Sequence, residues 1–101
     1  RMASDEREYQ RDFQAGAHAR RLAADAVEAA RAWAGDMRIV RDFFAMRHAA
    51  PGTAPRRATL RTLVWHARKS CERRTEARED FHNALEWRPS DAWREGYAGR
   101  V

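Results

Sequence analysis

An apolar side chain recurs every three or four residues along the first half of the chain. The members of this stripe are Leu22, Ala26, Ala29, Trp33, Met37, Val40 and Phe44. Spacings of three and four keep side chains within a narrow arc of an α-helix, whereas strands show alternation, which this sequence lacks. The surrounding residues are rich in alanine and arginine, which favour helix. We therefore expect a helix from about Asp5 to about Ala49.

Two local patterns bear on how this first helix begins and whether it is continuous. Asp5 followed three residues later by Glu8 has the form of a capping box, which predicts a helix start there. Gly35 and Asp36 favour a kink or an interruption, with Asp36 as the cap of a new helix. An unbroken helix and a helix kinked near Gly35 both remain open.

The second half of the chain predicts one more long helix and a short one. Pro51, Gly52 and Pro55 mark a loop, and the next helix should start near Arg56. Its expected apolar stripe is Leu60, Val64, Ala67, Cys71, Phe81 and Leu85, with Thr75 a weak member. Pro89 disfavours helix at Arg88 and should end this element. Ser90 can then cap a short helix containing Trp93 and Tyr97, with Gly99 at its end.

These elements predict an all-α protein and a single helical domain over residues 1–101. We expect a long antiparallel helical hairpin followed by a short C-terminal helix. A hairpin by itself buries little surface, so its core must be completed in one of two ways. Either the short helix and a kinked first helix complete the core, or two chains associate as a homodimer.

Positive charge is concentrated in the middle of the chain. Residues 37–74 carry ten basic and two acidic side chains, whereas residues 1–36 carry six and seven, and residues 75–101 carry four and six. The candidate binding residues are Arg56, Arg57, Arg61, Trp65, Arg68, Lys69, Arg73 and Arg74. Such a segment suits a phosphate backbone or an acidic protein surface.

Two features of this segment have an ordinary structural interpretation as well. Trp65 could stack on a base or anchor a protein contact. Alternatively, it could complete a broad apolar face with Leu60, Val64 and Ala67. The charges could form helix-surface ion pairs, namely Arg68–Glu72 and Arg73–Glu76. Such exposed pairs contribute little to stability.

No pattern in the sequence is typical of a catalytic or metal site. There is no HExxH motif and no glycine-rich phosphate loop, and Glu79 with His82 supplies the Glu-x-x-His spacing of a di-metal bundle once rather than twice. Cys71, the single cysteine, is expected to be a buried small apolar residue. We therefore expect no enzyme activity, no cofactor and no metal. The lone cysteine, the polar N-terminal residues and the lack of a long apolar run predict a cytoplasmic protein outside the membrane.

Both ends of the chain resemble the ribosome modulation factor family. The first matching segment runs from Gln10 through Gln14-Ala15-Gly16 to Arg20, and the second is residues 93–101, from Trp93 to the closing Arg-Val. Some seventy residues separate them, in place of the family's short Cys-Pro-Tyr turn. The resemblance implies binding to the small ribosomal subunit. It also implies that Phe13 and Gly16 close against Trp93 and Tyr97.

The functional expectation is a non-enzymatic basic helical protein that binds RNA, DNA or a nucleoprotein complex through its arginine-rich middle. The alternative is a phage-type protein inhibitor of a host defence or nucleic-acid-processing complex, similar to an anti-CRISPR. Such an inhibitor would bind an acidic protein surface rather than nucleic acid.

Overall fold

Three α-helices and no strand make up the described part of the chain. A computed structural model describes residues 2–49 and 57–99, in which α1 spans Met2–Ala49, α2 spans Arg57–Ala84 and α3 spans Asp91–Ala98. The all-α prediction, with a short C-terminal helix, is confirmed. The predicted loop at Pro51, Gly52 and Pro55 lies outside the described residues.

The helices form two compact units. One unit comprises Arg1–Ala26 with Ala77–Val101, and the other comprises Val27–Glu76. The prediction of a single domain therefore stays a prediction.

α1 begins earlier than predicted and is continuous, which is one of the two forms that the sequence left open. The helix begins at Met2, so Asp5 lies in its first turn rather than at its cap. It continues through Gly35 without a break, and a Cβ at Gly35 would meet nothing within 4 Å. A glycine costs a helix only about 1 kcal/mol relative to alanine, which the helix-forming residues on both sides offset.

In the first unit, α3 begins and ends at the predicted residues. Ser90 is the N-cap: its extended backbone (φ −71°, ψ 166°) lets its Oγ accept a hydrogen bond from the Trp93 amide at 3.2 Å. The same hydroxyl donates to Asp12 Oδ2 of α1 at 3.0 Å. Gly99 ends the helix in the left-handed conformation, with φ 72°. Ser90 therefore caps α3 and ties it to α1.

α3 packs against α1 through two glycines. A Cβ on Gly16 would lie 2.8 Å from the Trp93 carbonyl carbon and 2.9 Å from the Tyr97 amide nitrogen. A Cβ on Gly96 would lie 2.9 Å from the Phe13 carbonyl carbon. Because all three distances are shorter than real Cβ atoms allow, the two backbones approach more closely than any other residue type permits. The expected packing of Gly16 against α3 is confirmed.

Aromatic side chains surround this crossing. Trp93 is buried, and its ring stacks on Tyr97 with centroids 5.3 Å apart. On α1, Tyr9 stacks on Phe13 at 6.1 Å, and the Tyr9 hydroxyl donates a hydrogen bond to Glu95 Oε2. Stacking of this kind adds about 0.5–1.5 kcal/mol per pair beyond burial itself.

In the second unit, α1 and α2 form an antiparallel helical hairpin. We call the facing positions the seam; they are buried or half-buried. On α1 they are Ala29, Trp33, Asp36, Val40 and Phe43, and on α2 they are Leu60, Leu63, Ala67, Ser70 and Arg74. The spacing of both sets averages 3.5 residues, as expected where two helices pack side by side over several turns.

The seam corrects the predicted apolar stripes. Met37 and Phe44 were predicted to face the core, but they are 42% and 48% exposed. On α2, Val64 is 41% exposed and Cys71 is also exposed. At each of these four positions, the seam takes the residue that directly precedes the predicted one. Asp36 is tolerated in the seam because Ser70 Oγ donates a hydrogen bond to its Oδ2.

Candidate functional site

Most of the predicted binding residues lie on the exposed surface of α2. Arg61, Trp65, Arg68, Lys69 and Arg73 are exposed. Arg57 is the first residue of α2, and Arg56 lies outside the described residues. Arg74 is the exception, since it is half-buried in the seam.

Four of these residues share one side of α2, which we call the outer face: Arg61, Trp65, Arg68 and Lys69. Steps of four, three and one residues keep them within about a third of the helix circumference, directly opposite the seam residues Ala67 and Ser70. The face is about 12 Å long, because each helical residue rises about 1.5 Å. Arg73 lies to one side of it.

Trp65 is the centre of the outer face. Its side chain is 55% exposed, so the interpretation in which it completes an apolar core face is wrong. The Lys69 ammonium lies 5.7 Å from the centre of the indole ring, and the His66 ring meets it edge-on with centroids 5.0 Å apart. Both neighbours contact the indole, yet more than half of Trp65 stays open to solvent.

The cations of the outer face are largely unneutralised. Lys69 Nζ contacts Glu72 Oε2 at 3.5 Å, an exposed i,i+3 pair of small energetic weight. Among the described residues, Arg61, Arg68 and Arg73 make no ion pair. The expected pairs Arg68–Glu72 and Arg73–Glu76 are not formed. Glu72 contacts Lys69 instead of Arg68. Guanidinium groups without a carboxylate partner keep their bidentate donors available for a ligand.

Arg74 belongs to the seam rather than to the outer face. Its guanidinium carbon lies 4.6 Å from the centre of the Trp33 ring of α1. This cation–π contact gives Arg74 a structural partner inside the hairpin. Arg74 is therefore not one of the residues that point towards a ligand.

Sequence reasoning missed one exposed feature and misplaced one residue. Trp87, in the connection between α2 and α3, is 91% exposed. Its position just before Arg88-Pro89, where the helix was expected to end, was the available signal. Cys71 was expected to be buried, but it is exposed, because the α2 seam passes through Ser70.

The described residues contain no group of three or more histidine, cysteine, aspartate or glutamate side chains arranged to hold a metal ion. Within the same residues, no helix has both the length and the apolar character needed to cross a bilayer.

Comparison with known proteins found no matching family model, no matching curated protein and no matching solved structure.

Proposed function

We propose that the protein is a non-enzymatic nucleic-acid-binding module whose outer face takes a single-stranded segment of RNA or DNA. The observation that carries this proposal is the exposure of Trp65 among cations, two of which, Arg61 and Arg68, lack a carboxylate partner among the described residues. An unpaired base stacks on an exposed indole, and each stacked base contributes about 1–3 kcal/mol. Phosphates on either side of that base then meet the guanidinium groups.

Binding of this kind does not read sequence and depends strongly on salt. Each phosphate neutralised by the protein releases condensed counterions, with a slope of about −0.7 per contact for single strands. The two unpaired arginines and Lys69 therefore predict a modest, measurable loss of affinity between low and physiological salt. A duplex offers no unpaired base to Trp65 and should bind more weakly than a single strand.

Fluorescence anisotropy with labelled single-stranded RNA, single-stranded DNA and duplex DNA tests the proposal. Trp65→Ala should weaken single-strand binding about tenfold, which corresponds to about 1.4 kcal/mol. Trp87→Ala is the matched control, since it removes an even more exposed indole outside the outer face and should leave affinity unchanged. Absence of single-strand binding by the intact protein at low salt would refute the proposal.

A second candidate function is the phage-type inhibitor or adaptor that binds a protein complex. The half-exposed apolar side chains of Met37, Phe44 and Val64 favour it, because nucleic acid offers them no matching surface. Capture of a partner from a host lysate treated with nuclease separates the two functions. A partner that survives nuclease and the Trp65→Ala substitution supports protein binding.

A further inference from the structure

The register of the hairpin in residues 27–76 follows from two contacts across the seam. Ser70 donates a hydrogen bond to Asp36, and the Arg74 guanidinium lies over the Trp33 ring. In this antiparallel register, Met37 lies level with Cys71. About two turns further along α1, Phe44 lies level with Val64.

These four residues form one continuous strip along the hairpin, which we call the apolar edge: Met37, Phe44, Val64 and Cys71. Each of them follows a seam residue by one position. In an antiparallel pair of helices, the positions that follow the seam residues on the two helices flank the same side. All four are exposed, Met37, Phe44 and Val64 to between 41% and 48%.

The described part of the hairpin buries too little to be a complete helical core. Its buried apolar residues are Ala29, Phe43 and Ala67, so two of the three are alanines. Helical bundles close their cores by adding further helices over such a strip. Covering the half-exposed side chains of Met37, Phe44 and Val64 would remove apolar surface from water at about 25 cal/mol per Å².

Charge along the apolar edge indicates what covers it. Three exposed arginines border the apolar edge on the sides away from the seam: Arg41 on α1, and Arg61 and Arg68 on α2. Arg41 is 3.4 Å from Asp42, the residue that follows it, while the other two have no carboxylate partner among the described residues. The remaining described bordering positions, Ala34 and Thr75, carry no charge. The edge is therefore apolar along its middle and cationic along its borders.

This pattern selects one occupant. A second copy of the chain would bring its own arginines against these, and like charges across an interface are unfavourable. Nucleic acid would satisfy the arginines but not the apolar middle. An amphipathic helix with an apolar stripe bordered by glutamate or aspartate satisfies both.

We infer that the apolar edge of the hairpin is a docking site for an acidic amphipathic helix of a partner protein, which completes a three-helix layer with α1 and α2. This inference goes beyond nucleic-acid binding and does not depend on it, since Trp65 and Lys69 face away from the edge. Arg61 and Arg68 border both surfaces, so the decisive substitutions are apolar ones.

A synthetic peptide tests the inference directly. The probe is a fluorescein-labelled helix of about 21 residues, roughly 30 Å long, with leucine along one stripe and glutamate on both borders. Its counterpart carries lysine in place of glutamate, and both are used below their own self-association concentration. The acidic peptide should bind at least about tenfold more tightly than the lysine peptide, a difference of about 1.4 kcal/mol.

Substitutions on the protein identify the surface used. Phe44→Ser and, separately, Val64→Ser should each weaken acidic-peptide binding, while Trp65→Ala should leave it unchanged. Both serine variants change half-exposed positions, and circular dichroism verifies that they keep their helix content. Conversely, Phe44→Ser should leave single-strand nucleic-acid affinity intact, so failure of this inference and failure of nucleic-acid binding are distinguishable.

The single cysteine provides an independent readout on the edge itself. Bound acidic peptide should slow alkylation of the Cys71 thiol by a maleimide. The matched control is the double variant Cys71→Ser with Glu72→Cys, which moves the thiol by one residue onto the side of α2 occupied by the outer face. Alkylation of that variant should not change when the peptide is added.

Three results overturn the inference. The first is equal binding of the acidic and lysine peptides, or none by either. The second is peptide binding that is insensitive to Phe44→Ser and Val64→Ser, with Cys71 unprotected. The third is a species of twice the 11.7 kDa chain mass in light scattering that Phe44→Ser converts to monomer, because a second copy then covers the edge.

Discussion

Gly16 and Gly96 lie at the same crossing of α1 and α3, each against the backbone of the other helix. A Cβ on Gly16 would approach the Trp93 carbonyl group, and a Cβ on Gly96 would approach the Phe13 carbonyl group. Both clashes involve backbone atoms, which cannot rotate away as a flexible side chain can. The close crossing therefore requires glycine, which has no Cβ, at both positions.

Gly16→Ala and Gly96→Ala should each destabilise the protein by about 1–3 kcal/mol, the usual cost of forcing extra atoms into a packed contact. Urea unfolding measures the loss as a lower midpoint. Gly35→Ala is the matched control, because a Cβ there meets nothing within 4 Å. It should stabilise the protein by about 0.5–1 kcal/mol through the higher helix propensity of alanine. A loss of stability in Gly35→Ala equal to that in Gly16→Ala would contradict this account.

The sequence predicted the helices well because their signals are local. The N-cap hydroxyl of Ser90 and the left-handed glycine at Gly99 act within one turn, so both ends of α3 lie where expected. The end of α2 was less accurate: the helix ends at Ala84, before the break expected at Arg88. Proline excludes helix immediately before it but does not require helix up to that point.

The side of each helix that faces its neighbour was harder to predict, because the difference between two repeats is small. The predicted stripe averages slightly more than 3.6 residues and the seam averages 3.5. On α1 the two therefore share Ala29, Trp33 and Val40 but differ by one residue at Met37 and at Phe44. After Trp33 the seam takes Asp36 rather than Met37, and an apolar pattern cannot select an aspartate. Only the hydroxyl of Ser70, on the other helix, explains why the carboxylate is accommodated.

The Asp36–Ser70 hydrogen bond should be replaceable by apolar packing. Ser70→Ala leaves a half-buried carboxylate without its hydroxyl donor and should cost about 1 kcal/mol or more in urea unfolding. The double variant Asp36→Leu with Ser70→Ala should recover that loss and exceed the stability of the parent protein by about 1 kcal/mol, as isosteric apolar replacements of buried polar pairs often do.

A polar pair in a helical seam also restricts alternative registers. Light scattering of the same double variant should show association that the parent protein does not show at equal concentration. A double variant less stable than Ser70→Ala alone would contradict the expected apolar replacement.

Arg74 should contribute to stability more than to nucleic-acid binding, although it belongs to the basic segment. Arg74→Met keeps an unbranched apolar side chain but removes the charge over Trp33, and should cost about 0.5–1 kcal/mol of unfolding free energy. Arg68→Met is the matched comparison on the outer face. It should leave stability nearly unchanged and weaken single-strand binding more than Arg74→Met does. If anisotropy titrations showed a larger loss of single-strand affinity in Arg74→Met than in Arg68→Met, Arg74 would belong to the binding surface.

The Tyr9–Glu95 hydrogen bond should make stability depend on pH in the alkaline range. This bond raises the pKa of the Tyr9 phenol above its ordinary value of 10.0, since the proton is held by the Glu95 carboxylate. The folded state therefore binds the proton more tightly than the unfolded state does. The resulting stabilisation is fully present below the unfolded pKa and is lost as the pH rises through the raised folded pKa.

Tyr9→Phe removes both the hydrogen bond and its pH dependence. The difference in Tm between the parent protein and Tyr9→Phe should be constant from about pH 6 to about pH 9 and should shrink above about pH 10. Glu95→Gln separates the two partners: it retains an acceptor but removes the negative charge, so tyrosinate absorbance in this variant should appear at lower pH than in the parent. A Tm difference that stays constant through alkaline pH would show that the phenol proton does not stabilise the packing of α3 on α1.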